Sequence, residues 1–198
     1  MTTEDYNEDE AIEEDSFEED DKNPKAAAKE VFSWILTIGL AVICGVLLNQ
    51  FVVLSAYVPT SSMEGTIRER DRVIAFRLSY LFSTPERFDI IVFPSPVEED
   101  TLNVKRVIGL GGETVNIVQG RVYINDDPTP LRNDFVGNEL LHDFGPFEVP
   151  EGHVFVLGDY RANSRDSRWW RDPYINVDDI LGRVAFRFFP GFSTFRLR

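Results

Sequence analysis

A short polar run, Thr60-Ser61-Ser62, follows Pro59, and a basic pair, Lys105-Arg106, lies in an otherwise apolar stretch forty-three residues beyond Ser62. Serine hydroxyls are weak nucleophiles at neutral pH and need an adjacent base, a part that a neutral lysine can play as well as a histidine. The chemistry on offer is attack on a carbonyl by a serine whose proton passes to a lysine. A solvated lysine of pKa about 10.4 is neutral in only about 0.4% of molecules at pH 8, so such a base must be desolvated. Read as a strand, the segment places Lys105 on one face with Val107 and Arg106 on the other. That alternation predicts a buried Lys105 and a solvated Arg106. The only histidines, His142 and His153, fall outside both segments, which disfavours a Ser-His-Asp site. Two dispersed histidines with no cysteine nearby also make a poor zinc site. Gly109-Leu110-Gly111-Gly112 runs into strand residues rather than a helix, so no phosphate-binding loop is expected and no cofactor is required.

The elements that must position this chemistry begin with an apolar span. From Val31 to Leu48 no residue is charged, and the charge-free run continues to Met63. At about 1.5 Å per residue the first eighteen residues cover roughly 27 Å, close to a hydrocarbon core once Phe51 to Leu54 are added. Val53-Leu54-Ser55 could pass as a signal-peptide cleavage site, but a signal peptide has a shorter apolar region and a basic rather than an acidic start. A retained anchor is therefore expected. Lys22, Lys25 and Lys29 precede the span and no Lys or Arg follows it until Arg68, which predicts a cytoplasmic N-terminus and an extracytoplasmic remainder. About eight residues separate the span from Ser62, a reach of at most roughly 30 Å, so chemistry there is expected close to the bilayer.

The formal charge of -14 does not define a partner. Residues 1–21 hold twelve of the 34 acidic residues and no basic one, leaving 20 basic against 22 acidic residues. The acidic run is predicted to be disordered, and no basic footprint for nucleic acid remains. The lone cysteine, Cys44, lies in the span, so cysteine usage does not report the redox compartment. The expected organisation is a disordered acidic cytoplasmic tail at 1–29, a transmembrane helix at 30–54 and a catalytic domain at 55–198. Within that domain, strand signals fall at 72–77, 89–93, 102–108, 114–118, 121–125, 153–157 and 182–189. Gln119-Gly120 reads as a tight hairpin, and residues 128–150 read as loops or a small cap, spanning about 116–150 with the strands before them. The fold class is mainly β, an antiparallel, barrel-like sheet with that cap, preceded by one transmembrane helix.

Four blocks carry a resemblance: YVPTSSMEGTI (57–67), RFDIIVF (87–93), VKRVIGLGGETV (104–115) and GDYRANSRDSRW (158–169). In this order behind an apolar span they resemble the bacterial type I signal peptidases, from the span to about Pro190. The resemblance implies a membrane-bound serine endopeptidase that removes signal peptides from exported preproteins after a small-x-small motif. Ser62 matches the nucleophile and Lys105 the general base. Thr60 matches the residue whose hydroxyl joins the Ser62 N–H in an oxyanion hole, and Ser164 the hydroxyl that orients the lysine amine. Asp166 and Arg168 match a bracing carboxylate and guanidinium, with Asp159 helping to hold that loop. The implied partners are signal peptides and the lipid bilayer, and the implied location is the cell membrane. Tyr160 stands where an Asn is usual, Ala162 where an Asp is usual, and Gly111-Gly112-Glu113 replaces a common Pro-Gly-Asp, which bears on loop bracing and not on the dyad.

Two other readings fit part of the pattern. A self-cleaving repressor of the LexA type also uses serine and lysine, but would carry a DNA-binding domain in place of a membrane span. A single-pass β-domain that binds partners at the cell surface would leave Ser62 and Lys105 incidental, and a serine-reactive acyl probe separates it from an enzyme.

Overall fold

The computed structural model of the chain describes residues 24–195, and the acidic run predicted to be disordered lies outside them. The chain falls into two compact units divided between Ile43 and Cys44, and the strands all belong to the second. Among the described residues there is one α-helix, α1 (Pro24–Phe51), which opens on a proline, whose missing N–H costs nothing at a first helical position. Its Ala28–Phe51 portion contains an 18-residue window of mean hydropathy 2.5 and is long and apolar enough to cross a membrane. The helix stops three residues short of the predicted boundary at 54. Val53 and Leu54 instead pair with Phe76 and Ala75 at the start of a strand, because β-branched and apolar residues serve a half-buried strand as well as a helix end.

Eleven strands follow: β1 (Val53–Tyr57), β2 (Arg72–Phe76), β3 (Ile90–Pro94), β4 (Leu102–Leu110), β5 (Thr114–Val118) and β6 (Arg121–Ile124), then β7 (Phe144–Glu148), β8 (His153–Leu157), β9 (Tyr174–Asn176), β10 (Gly182–Phe189) and β11 (Ser193–Thr194). Eight of them form one antiparallel sheet in the order β1-β2-β10-β3-β4-β8-β9, with β11 on the flank of β10, and the other three form a sheet β6-β5-β7. The mainly antiparallel β fold expected from the strand signals is present. The large sheet is an open path rather than a closed barrel. Ala56 of β1 and Val58 just after it share a core cluster with Ile90 and Val92 of β3 and Val184 of β10.

Gln119 and Gly120 form the two-residue turn between β5 and β6, both with positive φ, as a twist-matched hairpin requires. The strand signals missed β7, whose sequence FGPFE is interrupted by Gly145 and Pro146. Proline has no N–H to give a ladder, and β7 is an edge strand, where that loss is tolerated. With β7 in place, the stretch expected to be loops or a cap supplies one edge of the small sheet.

Strand β4 sits centrally between β3 and β8, with both its faces covered. Val107, with Ile91, Phe93 and Trp170, belongs to one core cluster, and Ile108 to another with Phe135 and Leu157. This double burial sets up the site.

Candidate active site

Ser62 stands at the head of a short turn. The amides of Thr66 and Ile67 both donate to Met63 O, at 3.1 and 2.8 Å. Met63 and Ile67, four residues apart and hence on one side of that turn, are sunk in the core with Val58 and Val73. Their burial leaves Ser62 at the rim of a cavity of about 730 Å³, whose lining includes Thr60, Ser62, Lys105 and Ser164. Four residues singled out in the sequence thus face one space. Thr60 Oγ1 and Ser62 Oγ lie 3.3 Å apart.

Lys105 reaches the cavity from β4, where it pairs across the sheet with Ile91. Only 3% of it is exposed, and its Nζ donates to Ser164 Oγ at 3.2 Å. Burial pushes the lysine pKa down to about 8, and the Arg168 guanidinium adds to the fall, whereas the Asp166 and Asp159 carboxylates oppose it. At about 8 the amine is neutral in roughly half the molecules at pH 8, against about 0.3% for a lysine at 10.5.

Asp159, Asp166 and Arg168 do not line the cavity; they lie behind it. The Arg168 guanidinium grips the Asp166 carboxylate through Nε to Oδ1 at 2.7 Å and Nη2 to Oδ2 at 2.8 Å. Asp166 Oδ2 also accepts from the Gly158 amide at 3.0 Å, which closes residues 158–168 into a loop that presents Ser164. Such two-pronged charge-assisted contacts fix orientation as well as position.

The predicted solvation of Arg106 is wrong. Arg106 is fully buried and pairs with Asp159 through Nε to Oδ1 at 2.8 Å and Nη2 to Oδ2 at 2.6 Å. Alternation along a strand solvates every second residue only where one face is open, and here the Phe135 ring lies 4.3 Å from the guanidinium carbon on the far face of β4. No strand signal or motif pointed to Phe135.

Two further residues went unassigned although each lies inside a quoted block. Thr66 Oγ1 donates to Asp159 Oδ2 and accepts from Arg106 Nη2 at 3.1 Å. One hydroxyl therefore joins the Ser62 turn, the strand that carries Lys105 and the loop that carries Ser164. Gly158 is the second. A Cβ on it would stand 2.2 Å from Ser164 Oγ and 2.5 Å from Ser62 O, so only a residue without a side chain lets the two segments meet. A glycine at the exit of a strand is the signal that could have found it.

The residues that depart from the family pattern each have a defined place. Tyr160 contributes its backbone amide, which donates to Ser62 O at 3.0 Å, and Ala162 lines the cavity. Glu113 is gripped by Arg87 and accepts from the Leu110 amide at 2.7 Å, so it braces the turn after β4. His142 and His153 lie away from the cavity lining, and among the described residues no group of three or more His, Cys, Asp or Glu could hold a metal ion.

An antiparallel β-domain with a serine and a buried lysine on one cavity has the layout of a serine hydrolase. Residues 31–189 match the family described as "Signal peptidase, peptidase S26". The chain is 41% identical over 175 residues to a signal peptidase I of Leptolyngbya laminosa, covering 84% of this chain and 83% of that one. It is 36% identical over 159 residues to a probable signal peptidase I-2 of Synechocystis, covering 78% and 71%. It is 33% identical over 168 residues to a signal peptidase I of Bacillus licheniformis, covering 81% and 89%. The chain belongs to the signal peptidase family, peptidase S26, and is a serine peptidase by class.

Thr66→Val is expected to lower kcat about 10- to 100-fold by loosening the register between Ser62 and Lys105, with KM little changed and Thr66→Ser close to wild type. Steady-state cleavage normalised to sites that an acylating probe can titrate checks this. A Thr66→Val variant with wild-type kcat would remove the hydroxyl from the explanation.

Proposed function

We propose that this chain is a membrane-anchored endopeptidase that cleaves signal peptides from exported preproteins, with Ser62 as nucleophile and Lys105 as general base. The observation that carries the reading is a lysine 97% buried, its pKa pushed down to about 8, held by Ser164 in the cavity that Ser62 also lines. Family membership supports the substrate class.

In the proposed reaction Ser62 Oγ attacks the scissile carbonyl carbon while its proton moves to the neutral Lys105 amine. The oxyanion that forms takes hydrogen bonds from the Ser62 amide and the Thr60 hydroxyl, donors worth about 3 to 4 kcal/mol each when preorganised. As the C–N bond breaks, the Lys105 ammonium returns its proton to the departing amine and leaves Ser62 as an ester. Lys105, neutral again, takes a proton from water, whose oxygen displaces Ser62, and returns that proton to the departing Ser62 Oγ as the new carboxyl end is released. Ser164 keeps the amine aimed throughout, and the Asp166–Arg168 and Arg106–Asp159 pairs hold the loop and strand in place. No step calls for a metal or cofactor. By resemblance to the family, cleavage follows a small-x-small motif, since shallow pockets beside the cut exclude larger side chains by clash.

The apolar stretch Ala28–Phe51 suits a single anchor in the cell membrane. Lys22, Lys25 and Lys29 before it favour a cytoplasmic N-terminus with residues 55–198 as the extracytoplasmic catalytic domain. Its partners are then the lipid bilayer and signal peptides still embedded in it, and no basic surface invites nucleic acid.

Ser62→Ala and Lys105→Met are each expected to abolish preprotein cleavage in detergent, with the double variant no worse than either, because the two act as a unit. Substantial turnover by Lys105→Met at neutral pH would sink the dyad. The pH profile of wild-type kcat/KM should rise with a midpoint near 8 and level off above it, since below that pH the folded enzyme holds Lys105 protonated and without a lone pair. A midpoint near 10.5 would mean that Lys105 works solvated. Truncation of the anchor must stop at Phe51, because β1 starts at Val53. Removal of residues 1–51 should slow cleavage of membrane-inserted preprotein well beyond that of a short soluble peptide, and equal losses on both would reject a positioning role for the span.

A further inference from the structure

A second cavity, of about 590 Å³, adjoins the catalytic one and shares two of its walls, Val97 and Trp170; Arg171, Pro173 and Tyr174 complete most of the rest. We infer that this second cavity is a subsite for the polypeptide on the leaving-group side of the cut, entered from the catalytic cavity across Val97 and Trp170. The inference rests on the peptidase reading above.

The direction follows from the chemistry. The carbonyl carbon must sit at Ser62 with its oxygen towards Thr60, whereas the nitrogen it loses must lie within reach of Lys105, which delivers the proton. Ser164 holds Lys105 Nζ, and from Ser164 the chain runs on through Arg165 and Trp169, which line the same cavity, to Trp170 at the divide. The leaving half of the substrate is assigned to that side, where Ser164, Arg165 and Trp169 line the cavity with Lys105 and Trp170 opens onto the second one. If round, the first cavity is about 11 Å across, which about three extended residues span. The fourth residue after the cut would meet the divide.

The walls suit a polypeptide of varied sequence. Proline and aromatic surfaces offer apolar contact without demanding particular partners. Trp170 is fixed edge-on against Phe93 with ring centroids 6.1 Å apart, and its indole Nε1 is a buried donor with no partner in the protein. Arg171 and Asp172 add one charge of each sign to this cavity, which favours neither sign of substrate.

The test is a series of peptides with one fixed sequence before the cut and two to eight residues after it. For the wild type, kcat/KM should climb about tenfold between roughly three and six residues after the cut, chiefly through KM, because the added contacts are made equally in ground and transition states. The gain should be lost in Tyr174→Leu and reduced in Arg171→Ala, with cleavage of the shortest peptide unchanged in both. Arg171 is exposed, so its replacement leaves the core intact. Extending the peptide before the cut should help wild type and variants alike. A flat series with normal cleavage, or a length gain that survives both substitutions, overturns the subsite alone. Absence of cleavage at every length overturns the peptidase reading and the subsite with it.

Discussion

Arg106 carries a permanent charge with no exposed surface, and a charge taken out of water must be met by an opposite one in good geometry. Asp159 supplies it through two contacts, and Thr66 bridges the pair. This requirement ties together three segments far apart in sequence: the turn after Ser62, the middle of β4 and the loop after β8. Removal of one member would strand a buried charge, a loss of about 3 to 5 kcal/mol. Thr66, by contrast, is neutral, so its hydroxyl can be removed without leaving the pair unmatched. The pair is best understood as a fixed pivot from which Lys105 and Ser164 are set against Ser62.

The same burial acts on the neighbouring residue with opposite consequence. Arg106 has its charge met directly by the Asp159 carboxylate, whereas Lys105, 3% exposed, donates to a neutral hydroxyl and has its carboxylates at longer range. Desolvation therefore dominates at Lys105 and compensation dominates at Arg106. Two adjacent basic residues, one on each face of a strand covered on both sides, come to lie in very different surroundings. That contrast is what equips the proposed base without disturbing the scaffold beside it.

Close approach is the other constraint. The β8 exit must pass Ser62 O and Ser164 Oγ, and Gly158 permits this where any side chain would collide. The backbone amide of Tyr160 then secures Ser62 from the same loop, which explains why an unusual side chain at 160 leaves the geometry intact. The contact from residue 160 is made by its main chain and does not depend on its side chain.

Much of this was legible beforehand. Apolar length marked α1, alternation marked seven of the strands, and the four ordered blocks marked Thr60, Ser62, Lys105 and Ser164, because each of those signals is local. Sequence alone determined which groups were available and roughly which elements would carry them. The edge strand β7, the end of the helix at Phe51 and the burial of Arg106 depended on what lay across the sheet: a neighbouring ladder for the first two and the Phe135 ring for the third. Tertiary structure also decided the proton affinity of Lys105, since desolvation is a property of everything packed around an amine, and residues from several segments do that packing.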